Sequence, residues 1–518
     1  MAERSSLQKL RDCLPVREQS TDTDFAGVSV DGCDLRGEDL SEIDLSRASL
    51  RGTNLDQANL SNTNLEKANL RDVILERANL SSARLNGAEL SGTRLYDAQL
   101  AGVILTEAEM HRANLIQAEL RNADLSYADL SNAVLRRANL YNANLNNAVL
   151  GNADLRNALL IQTNLKNAIL RGADLRCANL QNADFSGADL SGADLRGANL
   201  SGAYLRRANL TITNLSSANL AHAHLSHTDL SGSNLSHANL TRAQMNSANL
   251  RRANLQEANL SNCDLHHGIL VLAQLQNAIL TQVQLLHANL SDANLSEANL
   301  THADLRRAYL TNTNLCRANL THSQLSHATL SRTDLSYADL SFANLANTNL
   351  SYADLSYANL SDAEANNTDI SYATFNQANL SNCHLDQSQP SELDMVYRQQ
   401  RNFDGGLQSR LLDVEDLIRK FDEVIRVFKV DIREIETSKK SNVSAGDLKD
   451  YKEFATLMEQ ECNRLRQEVN NYRQQYINDD VTLEDINDSY GNIHGQIILL
   501  GNNLGEVQRR WVELAKKI

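Results

Sequence analysis

From residue 35 to residue 360, every fifth residue is leucine, with only Met110, Phe185 and Met245 departing from it. That makes 66 consecutive positions in one phase, without an insertion or deletion. A period of five is neither the 3.6 of an α-helix nor the 2.0 of a β-strand. The stretch ADLSGADLRGANLSGAYL, residues 188–205, shows the remaining rules. Two residues before each leucine stands Ala, or else mostly Thr, Val, Ser, Cys or Gly. The residue directly before it is most often Asn or Asp, and the two that follow are mostly polar. Five residues cannot enclose a leucine on their own. The unit has to stack on copies of itself and build a collective core. Weaker matches at Phe25 and Val30, and at Ile370, Phe375, Leu380 and Leu385, extend the register to 21–385, or 73 pentads.

This pattern resembles the A(D/N)LXX repeat of the pentapeptide-repeat family. Ala183-Asp184-Phe185 and Ala188-Asp189-Leu190 match it residue by residue, and the resemblance covers most of the chain, from 21 to 385. It implies a right-handed quadrilateral β-helix, in which four pentads form one square coil with Leu and the small residue inside. A second period in the sequence agrees. Asn precedes the leucine at 59, 79, 139, 179, 199, 219, 239, 259, 299, 319, 359 and 379, all one position of such a coil, with Gln99, Glu119, Leu159 and Ile279 interrupting. Stacked Asn side chains are expected to hydrogen-bond as an amide ladder. About 18 coils at ~4.8 Å predict a rod of roughly 86 Å. Its interior is expected to be dry leucine and alanine, with no room for a substrate.

The ends of a β-helix are exposed sheet edges and need covers. Residues 1–20 are therefore expected to cap the first coil, with a short helix over 6–16 carrying Leu7, Leu10 and Leu14. Glu38 takes an inward position in RGEDL. Because an unpaired buried carboxylate is costly, a frayed coil near the open end is expected there. At the other end Ala365 replaces Leu, and Pro390, which has no N–H for a ladder, ends the register. A linker over 386–405 follows. Beyond it the period changes to 3.5. One seam runs through Leu411, Val414, Ile418, Phe421, Ile425, Phe428, Ile432 and Ile435. Two more run from Leu448 to Tyr476 and from Leu483 to Leu514, with Thr482 and Asp485 resembling a capping box. Sustained heptads with short polar connectors predict an antiparallel three-helix coiled-coil bundle over 406–518. That bundle would cap the chain, oligomerise it or dock a partner.

Charge and chemistry narrow the function. The net charge of −15 is uneven: residues 21–130 carry 19 acids and 10 bases, whereas residues 131–385 carry 17 and 16. No segment is basic enough for direct nucleic-acid binding. The seven cysteines form no CxxC pair, which argues against a zinc site or a disulfide framework and for a reducing compartment. Cys33, Cys263 and Cys383 fall at the small inward position and read as core packing. The N-terminal residues lack the apolar run of a secretory signal, and no run reaches the ~18 apolar residues of a membrane span. A cytoplasmic protein is expected. There is no Gly-rich phosphate loop, HExxH or GxSxG, so neither an enzyme nor a cofactor is predicted.

Two side-chain sets stand out as candidate interaction surfaces. Arg136, Arg156, Arg176 and Arg196 recur at an interval of four pentads beside Asp154, Asp174 and Asp194. The plain reading is a solvated ion-pair ladder of small energetic weight; the functional one is a recognition strip for a protein. Ten of the 13 histidines lie between His222 and His327. His227, His267, His287 and His327 share one column, and His222, His302 and His322 another, with neighbours in each about one strand spacing apart. Parallel outward imidazoles lack the partners of usual zinc sites, so this is expected to be a polar surface that gains charge below roughly pH 6.5. The leading expectation is a non-enzymatic scaffold that binds proteins, with homo-oligomerisation through the C-terminal helices. The alternative follows from the resemblance: quinolone-resistance members of the family imitate duplex DNA and bind type II topoisomerase, and the acidic N-terminal third would do the same here.

Overall fold

The computed structural model describes residues 2–14 and 23–384, together with Arg426 and scattered positions between 449 and 467. The chain divides into two compact units, Met1–Val396 and Tyr397–Ile518.

Between 24 and 384, each residue directly before a leucine position forms a parallel bridge to the residue 20 positions on, from Asp24↔Asp44 to Glu364↔His384. Coils therefore close after four pentads and stack in strict register, with four bridging columns. We number the faces they define by their first members: face 1 from Asp24, face 2 from Ser29, face 3 from Asp34 and face 4 from Asp39.

The backbone explains the residue preferences one N–H at a time. In the pentad at Leu60, the leucine N–H donates to Asn79 O in the next coil at 2.7 Å, and the corner residue Asn62 donates to Ser81 O at 3.0 Å. Thr63 N–H closes the turn onto Leu60 O at 3.2 Å, and Asn64 N–H reaches back to Ile43 O at 3.0 Å. One N–H remains, that of Ser61, and the Asn59 side chain accepts it at 3.2 Å. This Asx turn recurs along the chain, for example at Asp44 to Ser46, Asn219 to Ala221 and Asp354 to Ser356. Asn and Asp precede the leucine because a short carboxyl or amide oxygen reaches the N–H two residues on.

Every corner closes with a residue at positive φ. All 72 positions from 27 to 382 in steps of five are left-handed, and only 13 of them are glycine. A type II turn requires this at its third residue. Asn, Asp, His and Arg fill many corners, but so do Ile212 and several aromatic residues. Hydrogen bonds from the corner N–H groups to the next coil hold them in place, as at Arg207, Ile212, Ser217 and His222.

The core is as expected. The leucine positions from 35 to 360 are at most 1% exposed, and Ala365 is buried where it replaces leucine. Phe25, Val30, Ile370 and Phe375 are also buried, whereas Leu380 is half-buried. Threonine at the small position resolves its polarity by hydrogen bonding: Thr53, Thr63 and Thr163 donate to the carbonyls of Val30, Leu40 and Leu140 at 2.7–2.9 Å.

The N-terminal helix lies earlier than the expected 6–16: α1 spans Ala2–Asp12. Leu10 and Leu14 join the apolar cluster that contains Phe25 and Val30. Glu38 corrects the expectation of a frayed coil. It is buried in a regular coil, and Lys9 of α1 forms a salt bridge with it. The hydrogen bond and charge of Glu38 raise the Lys9 ammonium above its ordinary value.

The described residues between 449 and 467 are helical, and Ala455, on the second heptad seam, is buried. The other seam positions, the linker, Leu385 and Pro390 lie outside the described residues, as does the expected three-helix arrangement. No described helix is long and apolar enough to cross a membrane.

Candidate functional site

The arginine and aspartate columns meet on face 3. Each Arg grips the Asp two residues before it: Arg156 Nη2 to Asp154 at 2.7 Å, Arg176 to Asp174 at 2.6 Å and Arg196 to Asp194 at 2.7 Å. Each carboxylate is also approached from the coil beneath, by Arg136, Arg156 and Arg176 at 3.4, 3.4 and 3.7 Å. The result is a continuous zigzag of alternating charge. Burial works to raise Asp154 and Asp174, but hydrogen bonds from the side chains and backbone N–H groups of Arg156 and Arg176 outweigh it. Both carboxyls are held below their ordinary value. The same grip forms in isolation at Asp34–Arg36 and Asp304–Arg306. It follows locally from Asp-Leu-Arg, and stacking makes it a ladder.

The histidine columns are real stacks in part. His267 and His287 lie with centroids 5.1 Å apart, and His302 and His322 at 4.9 Å. Phe342 extends the second stack at 4.9 Å. His227 stands two coils before His267 with Ser247 between them, so it does not join that stack. His224 stacks instead on Tyr204 at 4.7 Å. Among the described residues, no group of three or more His, Cys, Asp or Glu side chains is arranged to hold a metal ion.

The Asn ladder on face 4 is present. Nδ2 donates to Oδ1 of the coil beneath from Asn219 to Asn199 at 3.2 Å, from Asn239 to Asn219 at 3.1 Å and from Asn379 to Asn359 at 2.9 Å. Cys263 is buried and donates to Leu240 O at 2.7 Å, as threonine does elsewhere. Burial pushes its thiol up to about 12 and that of Cys383 to about 11. Burial, with a hydrogen bond to Cys13, likewise raises Cys33 to about 12. These thiols are poor nucleophiles.

The sequence reading missed one feature by counting tyrosine among the polar outward residues. Tyr337 and Tyr357 stack at 4.7 Å, and Tyr352 and Tyr372 at 4.8 Å. Their spacing of one full coil was the available signal. A shallow concavity beside Lys452, Glu453, Thr456 and Gln460 carries no catalytic arrangement.

Several solved structures are similar to this chain. HetL, a pentapeptide repeat protein involved in heterocyst differentiation regulation from the cyanobacterium Nostoc sp. strain PCC 7120, is 35% identical. The match covers 49% of this chain and 91% of HetL, with a TM-score of 0.15. QnrB1, a plasmid-mediated fluoroquinolone resistance protein, is 19% identical across 39% of this chain and 97% of its own, with a TM-score of 0.17. A pentapeptide repeat protein of the Arabidopsis thaliana thylakoid lumen is 27% identical across 21% and 66%, with a TM-score of 0.13. No curated protein matches the chain. Pentapeptide repeats themselves match in segments that run from residue 39 to residue 387. The chain belongs to the pentapeptide repeat family, and its stacked coils are that family's right-handed β-helix.

Proposed function

We propose that this protein is a non-enzymatic scaffold whose β-helix presents fixed side-chain ladders to protein partners, with residues 406–518 as a helical head that docks or oligomerises. The observation that carries this reading is the filled interior: the leucine positions from 35 to 360 are at most 1% exposed. Chemistry is thereby confined to outer walls, where groups stand at one-coil spacing and do not converge on a cleft. The Arg136–Arg196 ladder and the His267–His287 and His302–His322 stacks are candidate contact surfaces. Affinity capture with the full chain and with a chain lacking 391–518 tests the proposal. A partner held by both maps to the repeats, and one lost with the truncation maps to the head. Failure of both baits to hold any specific protein removes the reading. Light scattering of the two chains tests oligomerisation: equal masses per chain exclude a role for the head.

One observation favours modulation of a type II topoisomerase by duplex mimicry, namely the net −9 over residues 21–130. Over roughly 26 Å of stacked coils this is about 0.35 charge per Å, against ~0.6 for duplex DNA. Within these coils Arg71, Arg77, Arg84 and Arg94 pair with Glu89, Asp56, Glu66 and Glu76, which compensates part of the acid. A gyrase supercoiling assay that shows neither inhibition nor protection ends this second reading.

A further inference from the structure

Among the described residues, six corner positions are Tyr or Phe and left-handed, and five of them fall between 337 and 372: Tyr337, Phe342, Tyr352, Tyr357 and Tyr372. Bulky side chains are the residues least suited to positive φ, and strained positions cluster where a surface is used. Four of the five frame one wall. Tyr352 and Tyr372 form the rail at the corner between faces 2 and 3, and Tyr337 and Tyr357 form the rail at the corner between faces 3 and 4. Asp334 and Asp354 are the bridging residues of face 3 between them. Tyr352 is 55% exposed and Tyr372 75%.

The foot of each rail shows which group these rings accept. Arg332 places its guanidinium 5.8 Å from the centre of the Tyr352 ring, and Arg317 places its own 5.5 Å from that of Tyr337. Charge points the same way. Residues 331–384 hold six carboxylates and one arginine. Two of the six, Asp334 and Asp354, belong to face 3 itself, and the others lie on the remaining faces and a corner of the same coils. The acidic excess of these coils repels phosphate backbones and attracts cations.

We propose that the tyrosine rails over face 3, between 337 and 372, are a docking surface for an arginine-rich segment of a partner protein, whose guanidinium groups continue the stacks begun by Arg317 and Arg332. Planar guanidinium suits a ring face better than a compact ammonium, and the carboxylates of face 3 and its neighbours set the sign. This rests on the scaffold reading and specifies the chemistry of one partner.

The test uses the full chain and fluorescent peptides of alternating Arg-Gly, Lys-Gly and Gln-Gly, read by anisotropy at low and high salt. The Arg peptide is expected to bind tightest, the Lys peptide more weakly and the Gln peptide not at all. The triple substitution Tyr352→Asn, Tyr357→Asn and Tyr372→Asn keeps a residue that tolerates the left-handed corner. It is expected to weaken the Arg peptide by about 10-fold or more, with an unchanged circular dichroism spectrum and melting curve. Substituting Asp97→Asn, Glu107→Gln and Glu109→Gln in the N-terminal third is expected to leave binding within about 2-fold, because that charge is remote and screened. Equal binding of Arg and Lys peptides that the tyrosine variant retains overturns the proposal in favour of bulk charge. So does binding of cello-oligosaccharide through the same tyrosines with none of the Arg peptide. Partner capture by the tyrosine variant separates the two readings: if capture persists while the peptide fails, the scaffold stands and this surface does not.

Discussion

Ile212 offers the sharpest test of how the corners are held. It sits at φ 57° with its side chain 75% exposed. A β-branched residue there carries the left-handed cost of roughly 1–2 kcal/mol without the burial that would offset it. Retaining a quarter of its area from water contributes about 0.4–0.75 kcal/mol, taking 1.5–3 kcal/mol for full burial. Asparagine tolerates the conformation, and the site above is open, because the next corner is Gly232. The same arrangement already exists at Asn152, whose Oδ1 occupies the space above which Gly172 has no Cβ. Ile212→Asn is therefore expected to stabilise its coil by about 0.5–1 kcal/mol. Repeat proteins unfold locally, so the assay is amide hydrogen exchange over residues 205–235 rather than a single melting point. The Ile212 N–H, which donates to Ser231 O at 3.0 Å, is a direct probe. Its exchange is expected to slow by about 2- to 5-fold. Ile212→Val keeps the branched Cβ and should give no gain. Unchanged or faster exchange in the Asn variant, or an equal gain in the Val variant, would refute the claim that corner strain is imposed by coil closure.

Other expectations follow from the same geometry. Leu250→Ala should cost about 2–5 kcal/mol, with faster exchange confined to the coils on either side of it; a uniform loss along the chain contradicts nearest-neighbour stability. Lys9→Met should strand the Glu38 carboxylate and expose α1 to proteolysis, and adding Glu38→Leu should restore resistance. Because Glu38 raises Lys9, the contribution of that pair is complete below the ordinary lysine value of 10.5 and is lost as pH rises through the higher folded value, which proteolysis at pH 8 and 11 can read. Asp154 and Asp174 titrate with the opposite sense: their depressed values make the face 3 ladder stabilising above the ordinary aspartate range and progressively lost as pH falls through the folded values. Exchange rates over residues 150–196 at pH 6 and 3, corrected for intrinsic rates, check this, and Asp174→Asn should flatten the pH dependence there. Cys263→Thr should be close to neutral on melting, because threonine makes the same bond to the carbonyl one coil beneath; a large loss would show that the thiol packs in some other way.

Much of this molecule is written in its periodicities. A leucine every fifth residue and an asparagine every twentieth determine the coil, the inward residues and the face 4 ladder, because stacking identical units repeats every local choice in space. The Arg–Asp and His columns were legible for the same reason: residues four pentads apart have to be neighbours once four pentads make a coil. The corners were not legible. Nothing local marks His302, Arg317, Tyr352 or Ile212 as left-handed, and closure of the coil with its inter-coil hydrogen bonds imposes what propensity opposes. Nor did the sequence reveal that Glu38 would find Lys9, since that depends on how α1 lies across the first coil. The tyrosine pairs were legible by their spacing of four pentads, but that two such stacks flank Asp334 and Asp354 on one face was shown by the stacked coils. Burial pattern follows from sequence here because it is periodic. Backbone strain, the partner of a lone charge and the meeting of chemically unlike columns follow from closure in three dimensions, which joins residues by position in the coil whatever their local preference.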